Sequence, residues 1–191
     1  MITINEIERK NRIIVLEDDI CEAVNFDIQK KIAEINEEDE AYIDKIKKVA
    51  SDYGDFSEFK FEPPHIKLYL STYGGSVYDG LGLYDIIKAS KTPVDVYCNG
   101  KIMSMGIIVM LAAANRYAYK NTTFMIHEVS SGSIGKLDEM EESVEEAKRL
   151  NNILFSIITE NTKIERTKLH EIKKLKKDWY FNAKEALKIC K

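Results

Sequence analysis

No stretch of this chain of 191 residues is long and apolar enough to cross a bilayer. Its longest apolar run, Ile107 to Ala114, falls far short of the ~20 residues a spanning helix needs. The first residues include Glu6, Glu8, Arg9 and Lys10, which excludes the apolar segment of a secretory signal there. Cysteine is scarce: Cys21, Cys98 and Cys190 form no C-x-x-C pair and lie too far apart to suggest a metal motif, so no metal site is expected and all three read as reduced thiols. No G-x-x-x-x-G-K-[ST] run exists to cradle a phosphate, so any ATP would be hydrolysed by another chain and no cofactor is expected here. The formal net charge of -4 leaves no electrostatic footprint for nucleic acid, and Lys173 to Lys177 reads as a solvated face. These absences lead to the expectation of a soluble, cytoplasmic protein with no membrane or nucleic-acid partner. What is present is 45% hydrophobic content, enough for one sizeable core and a single domain over residues 1–191.

The apolar pattern alternates between two periods. Arg12 to Leu16 reads as a buried strand, after which Val24, Ile28, Ile32 and Ile35 recur at helical spacing. Residues 37–64 turn acidic and polar, with Ile43, Ile46 and Val49 predicting a short amphipathic helix within a surface insertion. Ile66 to Leu70 is a second strand ending in Ser71-Thr72-Tyr73-Gly74-Gly75, and Val77, Leu81, Tyr84 and Ile87 mark the next helix. A third strand starts at Thr92-Pro93, with Val94 to Tyr97 as its apolar body. Arg116–Ala118 and Thr123–Ile126 read as two more strands. Strands alternating with helices predict an α/β fold with a parallel sheet. Beyond Gly132 and Gly135, Leu137, Met140, Val144, Ala147, Leu150 or Asn151, Leu154 and Ile157 or Ile158 predict one long amphipathic helix to about Glu160. A further helix begins near Glu165, and Asn182 with Glu185 forms a capping box for the last one.

The run Gly100 to Gly106 puts Ser104 where a strand ends and an apolar helix begins. A hydroxyl on such a turn projects outward, and the amide of Met105 belongs to the unpaired donors of a helix start. These are two parts of an acyl-transfer site, a nucleophile and half of an oxyanion hole, although a serine there also serves as a plain helix cap. His127 closes a strand, whereas His65 follows Pro63-Pro64 and His170 falls on a polar helix. Asp178 opens the aromatic segment before the last helix. A histidine could take the serine proton, and an aspartate could hold the imidazole and its cation. Each of the three also has a bland structural reading when taken alone.

Taken in order, these residues resemble the ClpP family, the proteolytic subunit of the Clp protease and a group of self-compartmentalised serine peptidases. Arg12-Ile13-Ile14-Val15-Leu16 is similar to that family's first strand, and Leu68 to Val77 to its strand and Gly-Gly turn. Ser104-Met105-Gly106 resembles its nucleophile motif. Phe124-Met125-Ile126-His127, then Gly132 and Gly135, resemble its histidine strand and glycine-bearing segment, while Asp178 with Ala183, Glu185 and Ala186 matches its acid. The resemblance runs from about Arg9 to Ile189. It implies a ClpP/crotonase-type fold, a strand-helix spiral whose protruding long helix in residues 132–160 is the handle by which two seven-membered rings stack into a tetradecamer. It further implies nucleophile Ser104, base His127, acid Asp178, oxyanion amides of Gly75 and Met105, and substrate strands pairing near Ser76, Val77, Val129 and Ser130. Substrates would be unfolded polypeptides, delivered by an AAA+ unfoldase that hydrolyses the ATP.

Departures from the pattern lead to the expectation either that the sequence stops early or that this is a divergent or phage-like member. The segment before Arg12 is short, residues 37–64 exceed the usual connection, and Lys191 precedes the family's final strand. Lys101, Ile102 and Met103 are bulkier than usual before the serine, and Glu128-Val129 replaces glutamine-proline after the histidine. Two other readings compete: a non-catalytic structural or regulatory subunit, and an acyl-CoA enzyme of the crotonase fold.

Overall fold

Short apolar runs become strands here wherever the next segment supplies an amphipathic helix to cover them. The computed structural model describes residues 11–51, 62–129 and 136–190. In chain order the elements are β1 (Ile13–Leu16), α1 (Glu22–Ser51), β2 (Ile66–Thr72), α2 (Val77–Ala89), β3 (Val94–Met103), α3 (Met105–Leu111), β4 (Asn115–Ala118), β5 (Thr123–Ile126), α4 (Leu137–Asn161), α5 (Arg166–Leu175), β6 (Trp179–Asn182) and α6 (Ala183–Ile189). The sheet runs β1-β2-β3-β5-β6 and is parallel until β6, which pairs antiparallel with β5. Ile66, Leu68 and Leu70 alternate into the core, as a half-buried strand requires, and meet Val96, Cys98, Ile102 and Phe124.

The third strand exceeds its apolar body. β3 continues through Gly100 to Met103, and a register shift against β2 between Leu70 and Thr72 absorbs its extra residues. Its first half pairs with β4 and its second half with β5. One strand therefore carries two partners in tandem, and the irregularity re-aims its C-terminal end toward β5.

Two elements differ from the periodicity reading. The helix read from Val24, Ile28, Ile32 and Ile35 and the short one predicted within 37–64 are a single continuous α1 as far as Ser51. The apolar stripe breaks there because Asp39 takes a buried position, its carboxylate bonded to the Arg12 guanidinium and the Thr92 hydroxyl, while Asn36 Oδ1 accepts the Thr92 N–H at 2.9 Å. A charge on a core-facing position reads as an interruption in sequence and acts as a tie in space. The remainder of the expected insertion, residues 52–61, lies outside the described residues. The aromatic segment after Asp178 is the strand β6, whose Phe181 stacks on Phe124 at 5.3 Å.

α4 is the expected long helix, with Leu150, Asn151, Phe155 and Ile158 buried and Leu137, Met140 and Val144 exposed. Gly132 and Gly135 lie outside the described residues. The capping box at Asn182 forms as read, with Asn182 Oδ1 accepting the Glu185 N–H at 3.0 Å and Glu185 Oε2 accepting the Asn182 N–H at 2.8 Å. All three cysteines are unpaired. Burial, with the neighbouring Cys190, pushes the Cys98 thiol up to about 12, so it packs as a small apolar group. No helix among the described residues is long and apolar enough to cross a membrane.

Candidate active site

The β3–β5 register brings the serine and the histidine together. Met103 pairs with Met125, and the next amide, Ser104 N–H, donates to the Met125 carbonyl at 2.9 Å. The chain then reverses into α3, with Ser104 at φ 52° and ψ -121°. A non-glycine residue held there costs roughly 1–3 kcal/mol and persists only where its surroundings impose it. The Ser104 side chain makes no capping bond to α3. Its Oγ instead lies 2.7 Å from His127 Nε2, one residue past the end of β5. Gly106 allows this turn to sit tightly on β2, since a Cβ there would come within 2.7 Å of Thr72 Cγ2.

Asp178 reaches the same place from the antiparallel side. The β5–β6 ladder ends on Ile126 paired with Trp179, so His127 and Asp178 face each other one residue beyond it. Their Nδ1 and Oδ1 atoms stand 3.9 Å apart, within ion-pair range and too long for a hydrogen bond. The Asp178 side chain is half exposed. Ser104 and His127 are thus in hydrogen-bonding contact, while Asp178 faces His127 without a hydrogen bond.

The Gly74-Gly75 turn lies beside the serine. The resemblance implies an oxyanion amide at Gly75, and the structure adds a steric demand for glycine there: a Cβ would fall 2.2 Å from the carbonyl oxygen of Ile20. Ile20 crosses as a short parallel bridge, its N–H donating to Gly74 O at 2.7 Å and its carbonyl accepting the Ser76 N–H at 2.8 Å. In such a bridge the opposite residue turns its own N–H to the other side, so the Gly75 amide faces away from Ile20. Gly74 is the glycine against the serine, where a Cβ would meet Ser104 Cβ at 2.7 Å. Thr72 fixes the turn: its buried hydroxyl donates to Asp18 O at 2.7 Å and accepts the Gly74 N–H at 3.0 Å.

A narrow pocket of about 70 Å³ opens at this point, lined by Gly75, Val77, Ser104, Met105, His127, Val129 and Asn151 over an apolar floor of Ile107, Ile108, Leu154, Phe155 and Ile158. Six of the nine expected site residues, Gly75, Val77, Ser104, Met105, His127 and Val129, therefore line one cavity. Ser76 does not fit its expected role in pairing substrate strands, because its N–H is bonded to Ile20, its carbonyl accepts the Gly80 N–H at 3.0 Å and its Oγ caps α2 at Asp79. The Val129 amide is likewise taken, donating to Asn151 Oδ1 at 3.1 Å. Ser130 lies outside the described residues. Sequence reasoning missed Thr72, Ile20 and Asn151. Only Asn151 carried a signal, as a polar residue on the core-facing stripe of a long helix; it is buried, and its Nδ2 donates to the Ala147 carbonyl at 3.0 Å.

Chemically, the arrangement offers a hydroxyl beside an imidazole and a carboxylate behind that imidazole, at a cavity that Gly75 and Met105 also line. Comparison with known proteins points the same way. The family model described as Clp protease matches residues 58–189. An ATP-dependent Clp protease proteolytic subunit from Deinococcus radiodurans is 34% identical over 125 residues, a match spanning 64% of this chain and 60% of that protein's length. Among solved structures, a point mutant of ClpP1 from Listeria monocytogenes is similar with a TM-score of 0.71 at 22% identity, over 92% of this chain and 85% of that one, a likeness that bears on the fold.

Proposed function

The chain belongs to the Clp protease family, and on that premise we propose that it is a serine endopeptidase subunit that cleaves peptide bonds through an acyl-enzyme. The observation carrying this reading is the 2.7 Å contact between Ser104 Oγ and His127 Nε2 at a strained turn. As Ser104 Oγ attacks the peptide carbonyl carbon, its proton passes to His127 Nε2, and the Gly75 and Met105 amides stabilise the oxyanion. Asp178 holds Nδ1–H and offsets the imidazolium charge once the 3.9 Å gap closes. His127 then protonates the leaving amine and activates the water that releases the acyl group. The apolar floor of Ile107, Leu154 and Phe155 takes an apolar side chain of the substrate.

In this reading the substrates are unfolded polypeptides in the cytoplasm, and the chain is one peptidase domain with no cofactor of its own. Any ATP is hydrolysed by a partner AAA+ unfoldase. The exposed Leu137, Met140 and Val144 on α4 support assembly through that helix, with heptameric rings stacked as a tetradecamer. The 3.9 Å gap and the half-exposed acid favour a second reading, a non-catalytic subunit. Model-peptide hydrolysis measured on the sized particle separates them. The expected result is an oligomer whose activity falls roughly 10³-fold or more in Ser104→Ala; a particle equally active in that variant contradicts the peptidase reading at this site.

A further inference from the structure

We propose that the ion pair between Glu128 and Lys173 is a positioning device that holds the His127 segment and the Asp178 turn together, and so sets the turnover rate. The inference rests on the peptidase reading above. The last rung of the β5–β6 ladder is Ile126 with Trp179. Beyond it no backbone bond ties the two strand ends, so the 3.9 Å between His127 Nδ1 and Asp178 Oδ1 depends on how far those ends splay. One residue further, Glu128 Oε1 lies 3.4 Å from Lys173 Nζ, each side chain two-thirds buried at 34% exposure.

Lys173 occupies the last turn of α5, and that turn leads directly to the acid. Lys176 adopts φ 48° and its N–H donates to the Lys173 carbonyl at 3.1 Å, while the Lys177 N–H donates to the Ile172 carbonyl at 3.3 Å. This closure fixes where Asp178 leaves the helix. The ion pair therefore joins the residue after the base to the helical turn from which the acid hangs. On the opposite flank, Asn151 of α4 anchors the Val129 amide. His127 is held from both sides, and the side facing the acid is held by charge. Glu128 beside the base is thus neutralised by Lys173, leaving Asp178 as the carboxylate that faces Nδ1. Both Glu128 and Lys173 act through His127 and Asp178 and touch no reacting atom.

The test is a double-mutant cycle on the assembled full-length protein: wild type, Glu128→Gln, Lys173→Gln and the double variant, with kcat and KM from a model peptide and thermal melts as controls. Each single variant is expected to lower kcat by about two- to fivefold at unchanged KM, as befits a partly exposed pair. The double variant should be no slower than either single, and Lys173→Arg should retain wild-type kcat. Losses that multiply in the double variant, or a melting temperature that moves while kcat does not, overturn the proposal. If the wild type neither reacts at Ser104 with a fluorophosphonate nor cleaves peptide, the peptidase reading fails and this inference falls with it. An active wild type with an additive cycle rejects the positioning role alone.

Discussion

Ser104 shows why the local reading of a residue depends on what crosses it in space. Its hydroxyl had two roles open, capping α3 or facing a base, and the backbone decides: at φ 52° the side chain leaves the helix end and meets His127. The rarity of histidine in this chain made His127 legible, and its place at a strand end made it usable. Thr72 and Ile20 were not legible because their bonds span more than fifty positions, Thr72 to Asp18 and Ile20 to Gly74, with no local pattern to announce them. At Gly75 the sequence offered an amide, while the contact with Ile20 that demands a glycine there was not legible. Gly75→Ala is predicted to push the turn off Ile20 and to cost roughly 1–3 kcal/mol of stability, with peptidase activity lost in step. Chemical denaturation alongside hydrolysis checks this, and an alanine variant with wild-type stability would show that the 2.2 Å approach is not a constraint.

Among the elements, pattern is followed where burial is continuous and fails where a polar group interrupts it. β2, α2 and the capping box of α6 came out as read, β2 because its apolar alternation is unbroken, and α2 and the cap because they satisfy their backbone groups locally. α1 did not, because Asp39 stands on its core-facing side and finds Arg12 and Thr92 there. Removing one partner of a buried pair strands the other, so Asp39→Ala is expected to destabilise the fold by about 3 kcal/mol in urea unfolding. A change under about 0.5 kcal/mol, the range of ordinary surface substitutions, would argue that the tie is ornamental.

α4 and α2 are joined at the surface by another charge group. The Tyr78 hydroxyl donates to Glu146 Oε1 at 2.6 Å, and Arg149 donates to both Glu146 oxygens at 2.7 Å. Hydrogen bonds first from Arg149 and then from Tyr78 hold the Glu146 carboxyl down to about 2, from an ordinary 4.5. A lowered folded-state value stabilises the contact above pH 4.5 and is lost as pH falls toward 2. A carboxyl titration by NMR should place the Glu146 midpoint far below that of a free glutamate, moving up when Arg149 is replaced by methionine. A midpoint near 4.5 in the wild type contradicts the contact.

For the whole molecule, the site is the meeting point of three chain reversals: the glycine turn after β2, the serine turn after β3 and the lysine turn before β6. The sheet register does most of the assembly, since β3–β5 pairing sets serine against histidine and β5–β6 pairing sets histidine opposite aspartate. Register was not legible from the sequence, because each strand's apolar pattern is compatible with several partners. The proposed roles of the residues could be read only from the residues taken together and in order. The most direct test of the account is reaction of the assembled protein with a fluorophosphonate, followed by peptide mapping. The account predicts one covalent adduct, on Ser104, abolished in Ser104→Ala and strongly slowed in His127→Ala. No adduct, or an adduct on another residue that persists in Ser104→Ala, would contradict it.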